Sequence, residues 1–224
     1  MIPSNAFYNS VSKDYNSHQT KLDWYVRNQV RRKFTHDIPY GNILDFGGGT
    51  GLDLSWLLTQ KYNVKFLEPS PNMRFLAKDA FVDNFHQPVF VEENIDFHNW
   101  SSGRLPFEEK IDGILANFAV FNSIEDINCL FEKLVLVCDD NCEVIATVLD
   151  TRAMKMIKTH SLKVAIKTLF NKPIITQTKY NGTLHETYFH TLSNYKSAFS
   201  KYFNLISYTS IKASPFALLI LSKK

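Results

Sequence analysis

The residues best placed by type and spacing to do chemistry begin with Ile43-Leu44-Asp45-Phe46-Gly47-Gly48-Gly49-Thr50-Gly51, an apolar run that passes into glycines just behind an acid. Glycine is needed where a backbone takes positive φ or comes so close to a ligand that a Cβ would collide with it. The spacing is Asp-x-Gly-x-Gly-x-Gly. Position 52, where a dinucleotide fingerprint has its third glycine, is Leu52, and no P-loop lysine follows the glycines. Asp45 at the mouth of this loop repels a pyrophosphate and suits the ammonium of an amino acid. Downstream, the apolar run 64–67 ends at Glu68, a carboxylate able to accept both hydrogens of a ribose diol in charge-assisted bonds. The pair reads as a site for a nucleoside that carries an amino acid.

A further set is Leu184-His185-Glu186-Thr187-Tyr188-Phe189-His190. Strand alternation puts Glu186, Tyr188 and His190 on one face and His185 on the other. They are candidate bases on the substrate side, chiefly His185 and Tyr188, but none is singled out as catalytic. Cys129, Cys138 and Cys142 form no CxxC pair, so they read as buried free thiols, and no metal site is expected.

The elements that must position these residues follow from hydrophobic period. Short apolar runs at 42–46, 64–67, 88–91, 111–116 and 143–149 alternate with helical patterns at 53–60, 71–79 and 125–137. Repeated β-α-β units imply a doubly wound α/β, Rossmann-like sheet with right-handed crossovers and a ligand crevice at the carboxyl ends of the first and fourth strands. A helix is expected at 21–34, and residues 1–20 read as a polar arm that orders only against the rest. In the last third, 151–170 reads as a basic, partly amphipathic helix. Asn181-Gly182 marks a hairpin between strands at 174–180 and 187–191. A helix at 192–202 and antiparallel strands at 205–211 and 216–221 close the sheet.

The loop and the acid together resemble the class I S-adenosylmethionine-dependent methyltransferases of small-molecule type, similar to methyltransferase types 11, 12 and 25. The signatures that carry the likeness are Leu44-Asp45-Phe46-Gly47-Gly48-Gly49-Thr50-Gly51 and Glu68-Pro69-Ser70-Pro71-Asn72-Met73, and the likeness runs from about Phe7 to Asp150. The resemblance implies a seven-stranded, mostly parallel sheet with an antiparallel C-terminal strand, and S-adenosylmethionine as cofactor. It implies that Gly47, Gly48, Gly49 and Gly51 line the methionine and ribose, that Glu68 holds the ribose hydroxyls, and that Pro69 and Met73 flank the adenine. Asn94, with Ile95, stands where the family usually has an Asp for the adenine amino group; Asp96 is an alternative. Asn117 and Phe118 would floor the transfer site, and Tyr15 would belong to an arm that closes over the cofactor. The run Ala116-Asn117-Phe118-Ala119-Val120 is neither the Asn/Asp-Pro-Pro-Tyr/Phe run of amino-methylating nucleic-acid enzymes nor a Pro-Cys nucleophile.

The expected organisation is one methyltransferase domain over 1–224: an arm and helix at 1–41, a cofactor core at 42–150, and a lid or substrate region with closing strands at 151–224. With 25 basic and 22 acidic residues the formal charge is only +3, and the run Arg31-Arg32-Lys33 beside Arg27 reads as a solvated helix face, so a nucleic-acid partner is not expected. Lys155, Lys158, Lys163 and Lys167 give the 151–170 helix a basic face suited to an anionic acceptor or partner. No run is long enough to span a membrane and no secretory leader is read, which makes the cytoplasm the expected compartment. Methyl transfer to O, N or C of a small molecule is the expected activity, by a monomer or homodimer. The alternatives are a non-catalytic cofactor-binding sensor and an RNA or protein methyltransferase.

Overall fold

A computed structural model describes residues 3–83, 87–152 and 174–224. A seven-stranded sheet forms from β1 (Asn42–Phe46), β2 (Asn63–Leu67), β3 (Val89–Phe90), β4 (Ile111–Ala116), β5 (Cys138–Leu149), β8 (Phe203–Ser210) and β9 (Phe216–Lys223). Its order is β3-β2-β1-β4-β5-β9-β8. The first five strands are parallel, and β9 runs antiparallel to both of its neighbours. The strand order reverses beside β1, so the carboxyl ends of β1 and β4 leave a crevice there, as expected.

The strands are apolar on consecutive positions because both faces are covered. Leu44, Ile114, Val144 and Leu219 face one layer, with α5 (Ile127–Val137) and α6 (Leu192–Phe199). Their neighbours Ile43, Leu115, Ile145 and Ile220 face the other, with α2 (Lys21–Asp37), α3 (Leu54–Thr59) and α4 (Pro71–Phe81). Helix α2 starts at a capping box in which Thr20 Oγ1 accepts from the Asp23 N–H at 3.2 Å and Asp23 Oδ2 accepts from the Thr20 N–H at 2.7 Å. Thr20→Ala is expected to cost about 1 kcal/mol in urea denaturation, with Thr20→Ser close to neutral.

The expected N-terminal arm does pack against the rest, as a helix that the sequence reading did not foresee, and one strand's bounds are corrected. The N-terminal segment is a helix, α1 (Pro3–Tyr15), followed by a 3-10 turn, and it packs on α4 and on the hairpin β6 (Ile175–Tyr180) and β7 (Thr183–Tyr188). The second hairpin strand is Thr183–Tyr188 and not 187–191. The two-residue Asn181-Gly182 turn, at φ 45° and 78°, pairs Tyr180 directly with Thr183, so the strand resumes at once. The helix expected at 151–170 falls almost wholly outside the described residues. No helix among the described residues is long and apolar enough to cross a membrane.

Candidate functional site

The crevice holds a cavity of about 500 Å³. Its floor is the end of β1 and the loop after it (Phe46, Gly47, Gly49), one wall is Leu67, Glu68, Pro69 and Met73, and Asn117, Phe118 and Val120 follow β4. Tyr8 and Tyr15 of α1 and Glu186 and Tyr188 of β7 close the far side. Helix α1 is held there by Asn9, whose Oδ1 accepts from Ser70 Oγ at 2.7 Å and from the Asn72 N–H at 3.1 Å.

Glu68 sits at the end of β2, where the backbone of the next segment surrounds its carboxylate. Oε2 accepts from the Gly49 N–H at 2.9 Å and Oε1 from the Ser70 N–H at 2.7 Å. Burial pushes its carboxyl up to about 6 against the pull of those two donors. Gly49 has φ +61°, and a Cβ built on it meets nothing within 4 Å, so the loop at that point is open. At Gly48 an added Cβ would overlap the Phe66 ring and the Asp45 carboxylate, which enforces glycine by packing.

Behind the loop a second, much smaller cavity is lined by Arg27, Asp45, Gly48 and Asp53, and it shares Tyr15, Gly47, Gly49, Asn117 and Phe118 with the first. Arg27 reaches it from α2 and pairs with Asp53 just before α3. Asp53 Oδ1 also accepts from Trp56 Nε1 at 2.9 Å, and Oδ2 accepts from Asn117 Nδ2 at 3.1 Å. Asn117 Oδ1 in turn accepts from Thr147 Oγ1 at 3.0 Å. Phe118 and Ala119 both have φ 58°, a conformation that costs non-glycine residues about 1 kcal/mol or more each. Hydrogen bonds from the Phe118 N–H to Thr147 Oγ1 (2.6 Å) and from the Ala119 N–H to the Thr147 carbonyl (3.0 Å) hold this turn, and the Arg27 guanidinium lies 4.3 Å from the Phe118 ring.

Asp45 and Arg27 both line this small cavity, and each has one buried side-chain atom without a hydrogen-bond partner, Asp45 Oδ2 and Arg27 Nε. Burial first, and then the charge of Asp53, push the Asp45 carboxyl well above the usual range. An acid and a guanidinium, each with an unpartnered atom, thus stand together beside the glycine loop.

The methyltransferase domain family matches residues 18–173, more than half of the chain. The chain belongs to that family. This methyltransferase is similar in fold to an S-adenosylmethionine-dependent methyltransferase from Clostridium acetobutylicum, at TM-score 0.65 and 13% identity over 98% of each chain. It is also similar to DhpI, solved as a complex with SAH, at TM-score 0.70 and 11% identity over 99% of this chain and 95% of that one. CalS10 from Micromonospora echinaspora, an amino pentose methyltransferase solved with SAM bound, matches at TM-score 0.62 and 12% identity over 95% of each chain. No curated protein matches the sequence.

Of the residues expected at the methyltransferase site, Tyr15, Gly47, Gly49, Glu68, Pro69, Met73, Ile95, Asn117, Phe118 and Tyr188 line the larger cavity, and Asp45 and Gly48 line the smaller. The structure does not bring the rest together with them. Gly51 faces Leu54 and Ala77. Asn94 is engaged elsewhere, its Oδ1 accepting from Arg104 Nε at 2.8 Å and its carbonyl from Trp100 Nε1 at 2.6 Å. His185 is buried against the Phe7 and Tyr8 rings.

Sequence reasoning missed Arg27, which it placed on a solvated face, although Arg27 is 7% exposed. The signal was its spacing of three and seven from Val30 and Phe34, which puts it on the buried face of α2. It also missed Asp53, Tyr8 and Glu125.

Proposed function

We propose that this methyltransferase uses S-adenosylmethionine, held in the crevice at the ends of β1, β2 and β4, to methylate a small molecule. The carrying observation is that Asp45 and Arg27, each with an unpartnered buried atom, line one small cavity behind a glycine loop whose Gly49 N–H donates to Glu68. The amino-acid end of the cofactor needs an anion for its ammonium and a cation for its carboxylate; Asp45, whose raised carboxyl an arriving ammonium would ionise, and Arg27 are the residues beside the loop that supply them. Glu68 retains lone pairs for the two ribose hydroxyls, and Pro69 and Met73 supply the apolar wall for the adenine. Asn94 plays no part in this reading. The cofactor supplies a methyl group on a sulfonium. The chain contributes position and dryness: α1 covers the crevice, and Tyr8 and Tyr188 face the acceptor end.

Titration with S-adenosylmethionine and SAH tests this reading; micromolar binding is expected, and none would overturn it. Affinity should also depend on pH in a stated direction. The Glu68 carboxyl is raised from its ordinary 4.5 to about 6, so its contribution to stability is complete below 4.5 and is lost as pH rises through about 6. Cofactor binding runs the other way, because the ribose hydroxyls donate to the ionised carboxylate. Affinity should fall as pH drops below about 6, towards tenfold per unit, and Glu68→Gln should remove that share of the dependence.

A further inference from the structure

The acceptor end of the cavity has a definite chemistry. Tyr8 of α1, Ser123, Glu125 and Asp126 before α5, and Glu186 with Tyr188 of β7 form its wall. No Lys or Arg is present among the described lining residues, and His98, which also lines the cavity, is paired through Nδ1 with Asp96 at 2.6 Å. The Glu186 carboxylate is oriented by two donors, Gln177 Nε2 at 2.9 Å and Tyr188 Oη at 2.8 Å. Asp126 is the N-cap of α5, its Oδ1 accepting from the Asn128 and Cys129 N–H groups at 3.0 Å, so Glu125 and Glu186 are the carboxylates left for a ligand. Tyr8 is half-buried, and its phenol is hydrogen-bonded to Ser123.

We infer that the acceptor is a small primary or secondary amine, bound as a cation between Glu186, Glu125 and the Tyr8 and Tyr188 rings, and methylated on nitrogen. This rests on the proposed cofactor reading. Carboxylates attract the ammonium, aromatic faces favour it, and the same wall repels an anionic acceptor. The proton balance also favours nitrogen. A hydroxyl acceptor needs a strong base, whereas hydrogen bonds from Gln177 and Tyr188 hold the Glu186 carboxyl below its usual range. An ammonium needs only to release one proton through Glu186 to solvent. The neutral nitrogen then donates its lone pair to the methyl carbon, the carbon–sulfur bond breaks with its pair left on sulfur, and a methylammonium and SAH result. A primary amine thereby becomes a secondary one, still a cation on release.

The test titrates benzylamine and phenethylamine, near neutral pH, into the protein saturated with SAH, beside benzoate, phenylacetate and benzyl alcohol as shape-matched anions and neutral. The amines are expected to bind at least about tenfold more tightly than the other probes, and Glu186→Gln is expected to lower amine affinity about tenfold through loss of a charge-assisted bond. Glu125→Gln, at an exposed position that folding does not depend on, should lower it by a smaller factor. With radiolabelled S-adenosylmethionine the label should appear in the N-methylated amine. Anions or the alcohol binding as well as the amines, no probe binding at all, or amine affinity indifferent to both variants would overturn the inference while leaving the cofactor reading intact. Failure of SAH itself to bind would overturn both.

Discussion

Glu68→Ala is expected to weaken S-adenosylmethionine about 100-fold while the protein melts close to its original temperature. Two charge-assisted hydrogen bonds to ribose hydroxyls, at roughly 1.5 kcal/mol each, give that factor. The carboxylate also holds the Gly49 N–H at 2.9 Å, so its loss releases the loop as well as the ribose. Stability should change little because the raised carboxyl shows that burying this charge already works against the fold, which offsets the loss of an acceptor for the buried Ser70 N–H, and because Gly49 lines a cavity that water can enter. Titration calorimetry beside a thermal melt separates the two effects. Wild-type affinity in the variant would remove Glu68 from the site.

Arg27→Ala should do the opposite and destabilise the fold strongly. Its side chain and that of Asp53 are 9% and 7% exposed, too buried for solvent screening to discount the pair. Removing one partner leaves an uncompensated buried charge, a loss of about 3–5 kcal/mol, or roughly 10 °C in Tm for a chain of this length. Asp53 would keep Trp56 and Asn117 as donors, but neither carries charge. The double variant Arg27→Ala/Asp53→Asn should therefore lose less than the sum of the two single variants, as denaturant unfolding of all four proteins would show. Strict additivity would mean that the ion pair is not what holds α2 against the start of α3.

How much was legible depended on whether the determining contact was local. β1 and β4 fall at 42–46 and 111–116 as read, because each is a short, mainly apolar run ended by a turn. The antiparallel closing strands follow from the same pattern, and Asp45 and Glu68 could be placed because strand ends in an alternating α/β chain converge on one edge. Other features needed partners distant in sequence. Helix α1 is polar and forms against α4 and β7, with Ser10 Oγ 2.9 Å from Thr183 Oγ1. Arg27 is buried because Asp53, 26 residues away, is there to receive it. Asn94 was assigned from its position after the third strand, but Arg104, ten residues on, takes its side chain.

The most direct test of the account is a crystal structure of the protein with SAH. It should show the ribose hydroxyls within hydrogen-bonding distance of Glu68, the ammonium on Asp45, the carboxylate on Arg27, and the sulfur facing the end of the cavity bounded by Tyr8 and Tyr188. SAH seated outside the crevice, or with its amino-acid end away from Asp45 and Arg27, would contradict it.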